Sequence, residues 1–277
     1  MLLTNKVALV TGSSRGLGKA MALTFAREGA SVVVTGRTEE PHPRIAGTIK
    51  QTVEEIRAAG GKAIAVRGDV AVAEDLQRLV ETAVKEYGRV DILVHNAAAL
   101  IPGGILGLAQ ERWDILWKIN LQALVVLAKG VIPSMQASGG GHILMVSPAL
   151  QFPGPVTPPI EGEPPRVVNI GGLPKQWATQ LALTIAQELA PHHIAVNCLF
   201  PGGTRNTEGM RAGRGGQPAG HTSPQLFADA ALAMVTKDPA TYTGHTLTDE
   251  EALRAEGVTD FRKYVETPDD TDIDRRP

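Results

Sequence analysis

The chain has 277 residues, a net charge of -2 and a single cysteine, and 43% of its residues are hydrophobic. This length suits one α/β domain with a full core, and the near-neutral charge offers no attraction to nucleic acid or to an acidic membrane. Cys198 has no disulfide partner, the first residues do not resemble a signal peptide, and no apolar stretch approaches the length of a membrane span. These features predict a cytoplasmic protein.

Strand and helix patterns alternate along the chain. Apolar runs typical of strands are Val7–Val10, Ser31–Thr35, Ala63–Val66, Ile92–His95, Ile143–Ser147 and Ile194–Phe200. Helical periodicity covers Leu17–Glu28, Ile45–Ala59, Glu74–Tyr87, Arg112–Met135 and Gln176–Leu189. The alternation predicts a single Rossmann-type α/β domain over residues 1–268, with a doubly wound parallel sheet, helices on both faces and ligands at the carboxyl ends of the strands.

Two segments depart from this alternation. The stretch from Pro148 to Pro174 is rich in proline, which removes backbone donors and fixes φ, and it follows the fifth strand. It is predicted to be an irregular loop inserted at the active-site edge, either a lid or substrate wall or a poorly ordered surface insertion. Residues 269–277 are predicted to form a polar, frayed tail.

A glycine-rich turn links the first strand to the first helix and reads Thr-Gly-Ser-Ser-Arg-Gly-Leu-Gly over residues 11–18. Gly12 permits the tight turn, Gly16 lets a pyrophosphate approach the backbone, and Gly18 lets the helix pack on the strand. The free N–H groups of the helix N-terminus favour phosphate. Because this turn opens a βαβ unit, it predicts a dinucleotide site. The other residues of this turn that are predicted to contact the dinucleotide are Ser14, Arg15 and Leu17.

The end of the second strand bears on which dinucleotide binds. An acidic residue there would bind the ribose hydroxyls of NAD and repel a 2′-phosphate, but the chain has Gly36-Arg37-Thr38. Arg37 and Arg15 can form bidentate bonds to a phosphate, although both could instead be solvated surface charges. We therefore expect NADP to be favoured over NAD.

Seven motifs in the same order make the chain similar to the short-chain dehydrogenase/reductases over nearly its whole length. After the glycine-rich turn comes Asp69-Val70, which contacts adenine in such enzymes, and then His95-Asn96-Ala97-Ala98, where the family has Asn-Asn-Ala-Gly. The mid-helix catalytic asparagine corresponds to Asn120 and the catalytic serine to Ser147. The remaining motifs are Pro201-Gly202, which holds the nicotinamide end in the family, and the last strand within residues 243–249.

Residues 40–49, 142–148 and 244–264 resemble the hydroxysteroid dehydrogenase-like branch of this family. The resemblance implies an oxidoreductase that transfers hydride between a nicotinamide cofactor and a small alcohol or carbonyl substrate. The residues that it assigns to cofactor binding are Asp69, Val70, Asn96, Ala97, Lys175, Pro201, Gly202, Thr204 and Thr207.

The tyrosine of the family's chemistry is absent. In such enzymes the tyrosine transfers the proton, and a lysine four residues later lowers its pKa and binds the ribose. The serine polarises the carbonyl, and the asparagine supports a water relay. Alignment places this lysine at Lys175 and the tyrosine position at Gly171, and no tyrosine lies between Tyr87 and Tyr242. Because Pro174 favours the first turn of a helix, the helix is predicted to begin one turn late and to leave Gly171 in a loop.

Two hypotheses follow. The first is an NADP-dependent enzyme with Asn120, Ser147 and Lys175 at its catalytic site, in which water, His142 or the proline-rich loop could partly replace the tyrosine. The second is a cofactor-binding scaffold or sensor that has lost proton transfer. No metal site is predicted, since His192-His193 have no ligand at suitable spacing.

We also expect a homodimer or homotetramer. The helices Arg112–Met135 and Gln176–Leu189 are apolar around most of their circumference, and related enzymes pair through these two helices. Trp113 and Trp117, four residues apart, are predicted to pack in the core or in this interface rather than to stack on substrate.

Overall fold

A computed structural model describes residues 1–43, 45–101, 103–147, 170–213 and 222–266. Seven parallel strands form one sheet in the order β3-β2-β1-β4-β5-β6-β7, which confirms the doubly wound architecture. The strands are β1 Val7–Thr11, β2 Ser31–Gly36, β3 Lys62–Arg67, β4 Ile92–His95, β5 Gly141–Val146, β6 Ile194–Phe200 and β7 Thr246–Thr248. The order reverses between β1 and β4, and ligands of such sheets bind outside the carboxyl ends at this point.

Helices cover both faces of the sheet. They are α1 Gly16–Arg27, α2 Ile49–Ala58, α3 Ala73–Tyr87, α4 Gln110–Trp117, α5 Ala123–Ala137, α6 Leu173–Leu189, α7 Glu208–Gly213, α8 Pro224–Val235 and α9 Asp249–Ala255. Successive residues of a strand point to opposite faces. Accordingly, Ala8 and Val10 pack with α1, α2, α8 and α9, whereas Leu9 packs with α3, α5 and α6. The sheet therefore has one apolar core on each side.

Three predicted helices differ from the structure, and the helix predicted over Gln176–Leu189 begins three residues earlier, at Leu173. The second predicted helix begins at Ile49 rather than Ile45, because the Thr48 hydroxyl accepts a hydrogen bond from the Gln51 N–H and the Gln51 side-chain oxygen accepts one from the Thr48 N–H. The predicted continuous helix Arg112–Met135 is interrupted by a π turn at Lys118–Gln122, between α4 and α5. Hydrophobic periodicity does not distinguish this turn from regular helix.

The prediction of an irregular loop through Pro174 is wrong at its end. Residues Ile170–Gly172 form a 3₁₀ turn that runs directly into α6, and Pro174 lies in the first turn of α6, where no backbone donor is needed. Gly171 is therefore buried in a helical turn and not in a loop. Residues 148–169 and the predicted tail 269–277 lie outside the described residues.

The expectation that no apolar stretch reaches the length of a membrane span also needs correction. The helical run Gln110–Ala137, which includes the π turn, has 28 residues and is apolar enough to pass that test by length and composition alone. A core helix of a soluble protein passes the same test. Here the buried face of α5 packs against α3 and the sheet, which accounts for its apolar composition.

Candidate active site

A cavity of about 860 Å³ lies at the carboxyl edge of the sheet, where the strand order reverses. It brings together most of the residues predicted to bind a cofactor. Those that line it are Gly12, Ser14, Arg15, Leu17, Gly18, Arg37, Asp69, Val70, Asn96, Ala97, Lys175, Pro201, Thr204 and Thr207. Gly16 and Gly202 do not line it; the Gly202 N–H donates instead to the Asp249 carboxylate at 3.0 Å.

The glycine-rich turn packs too closely to admit side chains. A Cβ on Gly18 would lie 2.4 Å from the Gly12 carbonyl oxygen and 2.5 Å from the Asn96 amide nitrogen. That amide nitrogen donates hydrogen bonds to the carbonyl oxygens of Thr11 and Gly12, at 2.8 and 3.2 Å. Asn96 therefore also holds the turn against β4, besides lining the cavity.

Gly47 packs against the glycine-rich turn, a structural role that the sequence analysis missed. It has φ +99°, and a Cβ there would lie 2.4 Å from the Ser14 carbonyl oxygen. The Arg15 guanidinium donates to the carbonyl oxygens of Ala46 and Gly47, at 2.9 and 2.7 Å. The loop before α2 is thereby fastened onto the glycine-rich turn, and only a glycine allows so close an approach.

The two arginines predicted to select NADP both border the cavity, but they differ in their contacts. Arg15 is engaged with loop carbonyls, and burial lowers its pKa. Arg37 is 71% exposed and lies 3.6 Å from the Asp69 carboxylate. Arg37 therefore remains the more available of the two for an added phosphate.

Lys175 is the ionisable side chain of α6 that lines the cavity. Burial lowers the pKa of its ammonium group to about 8. Among the described residues its Nζ has no hydrogen-bond or ion-pair partner. At neutral pH such a group carries a proton that it can readily lose, which suits proton transfer as well as ribose binding.

Ser147 and Asn120 are buried and do not line the cavity. Ser147 is 1% exposed, and its hydroxyl donates to the Lys175 carbonyl oxygen at 3.2 Å and shares a hydrogen bond with Thr179 Oγ1. Asn120 lies in the π turn, where its amide nitrogen donates to the carbonyl oxygens of Ala99 and Leu116, at 3.0 and 2.9 Å. Both side chains are thus engaged with the protein; their catalytic roles stay predictions.

His95, at the end of β4, is a buried residue that the sequence analysis did not single out. It is 1% exposed, and neither ring nitrogen has a hydrogen-bond partner among the described residues. Burial, together with the charge of Lys175, lowers the pKa of His95 to about 4. The imidazole is therefore neutral at physiological pH.

His142 cannot replace the missing tyrosine, contrary to one of our suggestions. It is the second residue of β5, at the amino edge of the sheet, where it lines a different, smaller cavity with Lys6, Asp91 and Lys237. The carboxyl edge, where Lys175 lies, is at the other end of the strands. In the described residues, no group of three or more His, Cys, Asp or Glu could hold a metal ion.

A buried ion pair holds the loop that follows β6. The Arg205 guanidinium donates to both carboxylate oxygens of Asp249, at 2.6 and 2.8 Å, and the two side chains are 5% and 0% exposed. Asp249 is the first residue of α9, and its Oδ1 also accepts from the N–H groups of Gly202 and Glu250. The loop that carries Thr204 and Thr207 is thereby fixed at the base of the cavity.

A family model described as short chain dehydrogenase matches residues 6–157. Among curated proteins, the chain is similar to hydroxysteroid dehydrogenase-like protein 2 from Danio rerio, with 37% identity over 261 residues, and from Homo sapiens, with 34% over 260. Both alignments cover 94% of this chain and 60% of the relative. The chain thus spans about three fifths of the length of these relatives.

Solved structures show the same fold. A short chain dehydrogenase from Mycobacterium thermoresistibile superposes with a TM-score of 0.84 and 33% identity, covering 96% of this chain and 92% of that one. A metagenomic short-chain oxidoreductase solved in complex with NADP has a TM-score of 0.71 and 27% identity, covering 90% and 98%. A 7α-hydroxysteroid dehydrogenase solved with NADH has a TM-score of 0.72 and 29% identity, covering 89% and 93%.

Proposed function

The chain belongs to the short chain dehydrogenase family, and we propose that it is an NADP(H)-dependent oxidoreductase acting on a small alcohol or carbonyl substrate. The observation that carries this proposal is the cavity itself, in which the glycine-rich turn, Arg37 and Lys175 border one space at the carboxyl edge of the sheet. Because Gly171 stands where the family has its tyrosine, we expect turnover to be slow. A cytoplasmic location is part of the same proposal.

The residues around the cavity fit a nicotinamide dinucleotide. A side chain at Gly18 would fill the space beside the turn, and the N–H groups of Leu17 and Gly18 in the first turn of α1 have no partner among the described residues and could bind phosphate. Arg37 would bind the 2′-phosphate, and Asp69-Val70 would contact adenine. Thr207 and Lys175, which also line the cavity, would hold the nicotinamide end. The bound cofactor supplies or accepts the hydride.

The proton must come from this chain's own residues or from water. Lys175 holds a proton at Nζ that its lowered pKa makes available at neutral pH. We propose that it passes this proton to the substrate oxygen, directly or through a water molecule. Asn120, which lies in the π turn, would support a relay of water molecules. Ser147 would have to turn its hydroxyl away from Thr179 to reach the carbonyl group of the substrate.

A cofactor-binding scaffold or sensor is the second candidate. It is favoured by the absence of a phenol at Gly171 and by the Ser147 hydroxyl, which already bonds α6. NADPH fluorescence titration followed by turnover with a panel of aldehydes and ketones separates the candidates. Binding with turnover supports the enzyme, and binding without any turnover supports the scaffold. If NADPH and NADH both fail to bind, neither proposal stands.

We expect NADPH to bind more tightly than NADH, and Arg37→Asp to erase or reverse this preference. The substitution replaces a cation beside the cavity with a carboxylate that repels the 2′-phosphate and accepts the ribose hydroxyls of NADH. The ratio of the two dissociation constants should change by about tenfold or more, which corresponds to ~1.4 kcal/mol. Titration of both cofactors into both proteins measures it. Equal wild-type affinities, or a preference for NADH, would refute the NADP assignment.

We also propose a symmetric dimer or tetramer that pairs through the helical run of α4 and α5 and through α6. Large apolar side chains on these helices remain exposed in the isolated chain: Ile115 by 43%, Trp117 by 38% and Trp177 by 41%. Burial of such a patch against a second copy removes apolar surface from water. Light scattering at micromolar concentration should give a multiple of the 29.3 kDa chain mass, and a monomer mass would contradict the proposal.

A further inference from the structure

The N-terminus of α1 is capped by a residue from a distant part of the chain. The Gly16 N–H donates to the Glu208 carboxylate at 2.8 Å, across a sequence separation of 192 residues. The segment provides no cap of its own, because Arg15 makes no side-chain cap bond and the first turn has no acidic residue. A carboxylate is stabilised there by the unpaired N–H groups and by the positive end of the helix dipole.

The contact lies where the proposed function requires a pyrophosphate. Gly16 belongs to the turn that would bind the phosphates, and its N–H is the donor that Glu208 takes. The next two N–H groups, those of Leu17 and Gly18, have no partner among the described residues, and both residues line the cavity. Glu208 therefore covers one edge of this anion site and leaves the remainder open.

Glu208 reaches this position from the wall of the cavity. It is the first residue of α7 and directly follows Thr207, whose Cβ would lie 3.5 Å from a Cβ on Gly16. The nearby Arg15 does not bond the carboxylate, because its guanidinium is engaged with the carbonyl oxygens of Ala46 and Gly47. The charge of Glu208 still raises the pKa of Arg15, opposing the effect of burial, as expected for groups that are close together.

We propose that Glu208 is an internal competitor of the cofactor: its carboxylate occupies the pyrophosphate subsite in the empty protein and leaves it when a dinucleotide binds. This inference rests on the proposed function, since it needs a dinucleotide site. Two anions cannot share one N–H donor, and a pyrophosphate beside the carboxylate would be repelled. The apparent affinity for the dinucleotide is therefore the intrinsic affinity multiplied by the fraction of molecules in which Glu208 has left the Gly16 N–H. Glu208 and Thr207 would shift together when the dinucleotide binds.

The test compares wild-type protein with Glu208→Gln and Glu208→Ala. Dissociation constants are measured for NADPH, for ADP, which has the two phosphates without nicotinamide, and for adenosine, which has none. Both variants should bind NADPH and ADP about tenfold more tightly, because the competing charge is lost. Adenosine affinity should not change.

Glu55→Gln is the matched control. Glu55 lies on α2, and its carboxylate contacts Lys19 Nζ at 2.7 Å. Lys19 is on α1, the helix that begins at Gly16, but Glu55 does not contact the glycine-rich turn. Glu55→Gln removes the same charge as Glu208→Gln. If the effect of Glu208 is local, this control should leave the dissociation constants for NADPH, ADP and adenosine unchanged.

Several results would overturn the inference. Unchanged or weaker NADPH and ADP binding in the Glu208 variants shows that the carboxylate does not compete, and wild-type dinucleotide binding then leaves the proposed function intact. An equal gain for adenosine, or in Glu55→Gln, assigns the effect to general charge or a loosened cavity. Failure of every protein, wild type and variants, to bind NADPH, NADH and ADP overturns both the inference and the proposed function.

Discussion

The combined substitution Gly171→Tyr, Gly172→Ser and Pro174→Ser should raise the turnover of carbonyl substrates by about 10² or more, the usual contribution of a positioned general acid. In this structure Gly171 lies in the 3₁₀ turn that precedes α6, and Lys175 follows in the first turn of α6. Residues four apart share a face only in a regular α-helix. The two serine substitutions are meant to extend α6 backward by one turn, so that the new phenol lies above Lys175.

The matched control carries Gly171→Phe with the same two serine substitutions. It adds nearly the same volume at a buried position but no proton, so its turnover should stay near that of the wild type. Gly171→Tyr alone should gain less, because Pro174 and the 3₁₀ turn remain. An equal gain from the phenylalanine protein would mean that packing, not proton transfer, had been limiting. If the wild-type enzyme already has the turnover rate of an ordinary family member, the glycine at position 171 does not limit catalysis and another group donates the proton.

We expect the free energy of unfolding to fall by about 2 kcal/mol between pH 7 and pH 5 through His95 alone. Its pKa is lowered from 6.5 to about 4 by burial and by Lys175, so between these values the unfolded chain binds a proton that the native protein does not. Stability from this group is therefore complete above about pH 6.5 and is lost as the pH falls towards 4. Urea unfolding followed by backbone circular dichroism at pH 5, 6 and 7 measures the change.

His95→Asn isolates this contribution, because it places at this position the residue that the family has and removes the titrating ring. The other buried histidine, His142, also has its pKa lowered to about 4, but it is present in both proteins and cancels in the comparison. The variant should lose about 2 kcal/mol less than the wild type over the same pH range. Parallel pH curves for the two proteins would show that His95 is not buried in its neutral form.

The sequence allowed most of the sheet and of the cofactor cavity to be predicted, because both depend on local patterns. Each predicted strand matches an observed one to within two residues, and the glycine-rich turn, Asp69 and Asn96 come together at one edge as expected from the strand order. Gly18 shows why: its close contact with Gly12 is set by a short, regular spacing.

The features that escaped prediction depend on contacts between distant segments. Glu208 reaches Gly16 only because the loop after β6 folds back over α1, and nothing near Glu208 in the sequence signals this. Gly47 is required by the approach of Ser14, which is 33 residues earlier in the chain. The π turn around Asn120 keeps the apolar spacing of a helix while shifting its hydrogen bonds, so periodicity could not reveal it.

The clustering of the aromatic residues makes one corner of the protein optically distinctive. All three tryptophans, Trp113, Trp117 and Trp177, lie together on α4 and α6 with ring centroids 5.4 to 6.2 Å apart. Rings at this separation exchange excitation, so the tryptophan emission and the tryptophan bands of the near-ultraviolet circular dichroism report the contact between α4 and α6, since no other part of the chain carries a tryptophan. A fluorescence unfolding curve therefore follows the separation of these two helices, and it coincides with the backbone signal only if the whole domain unfolds in one step.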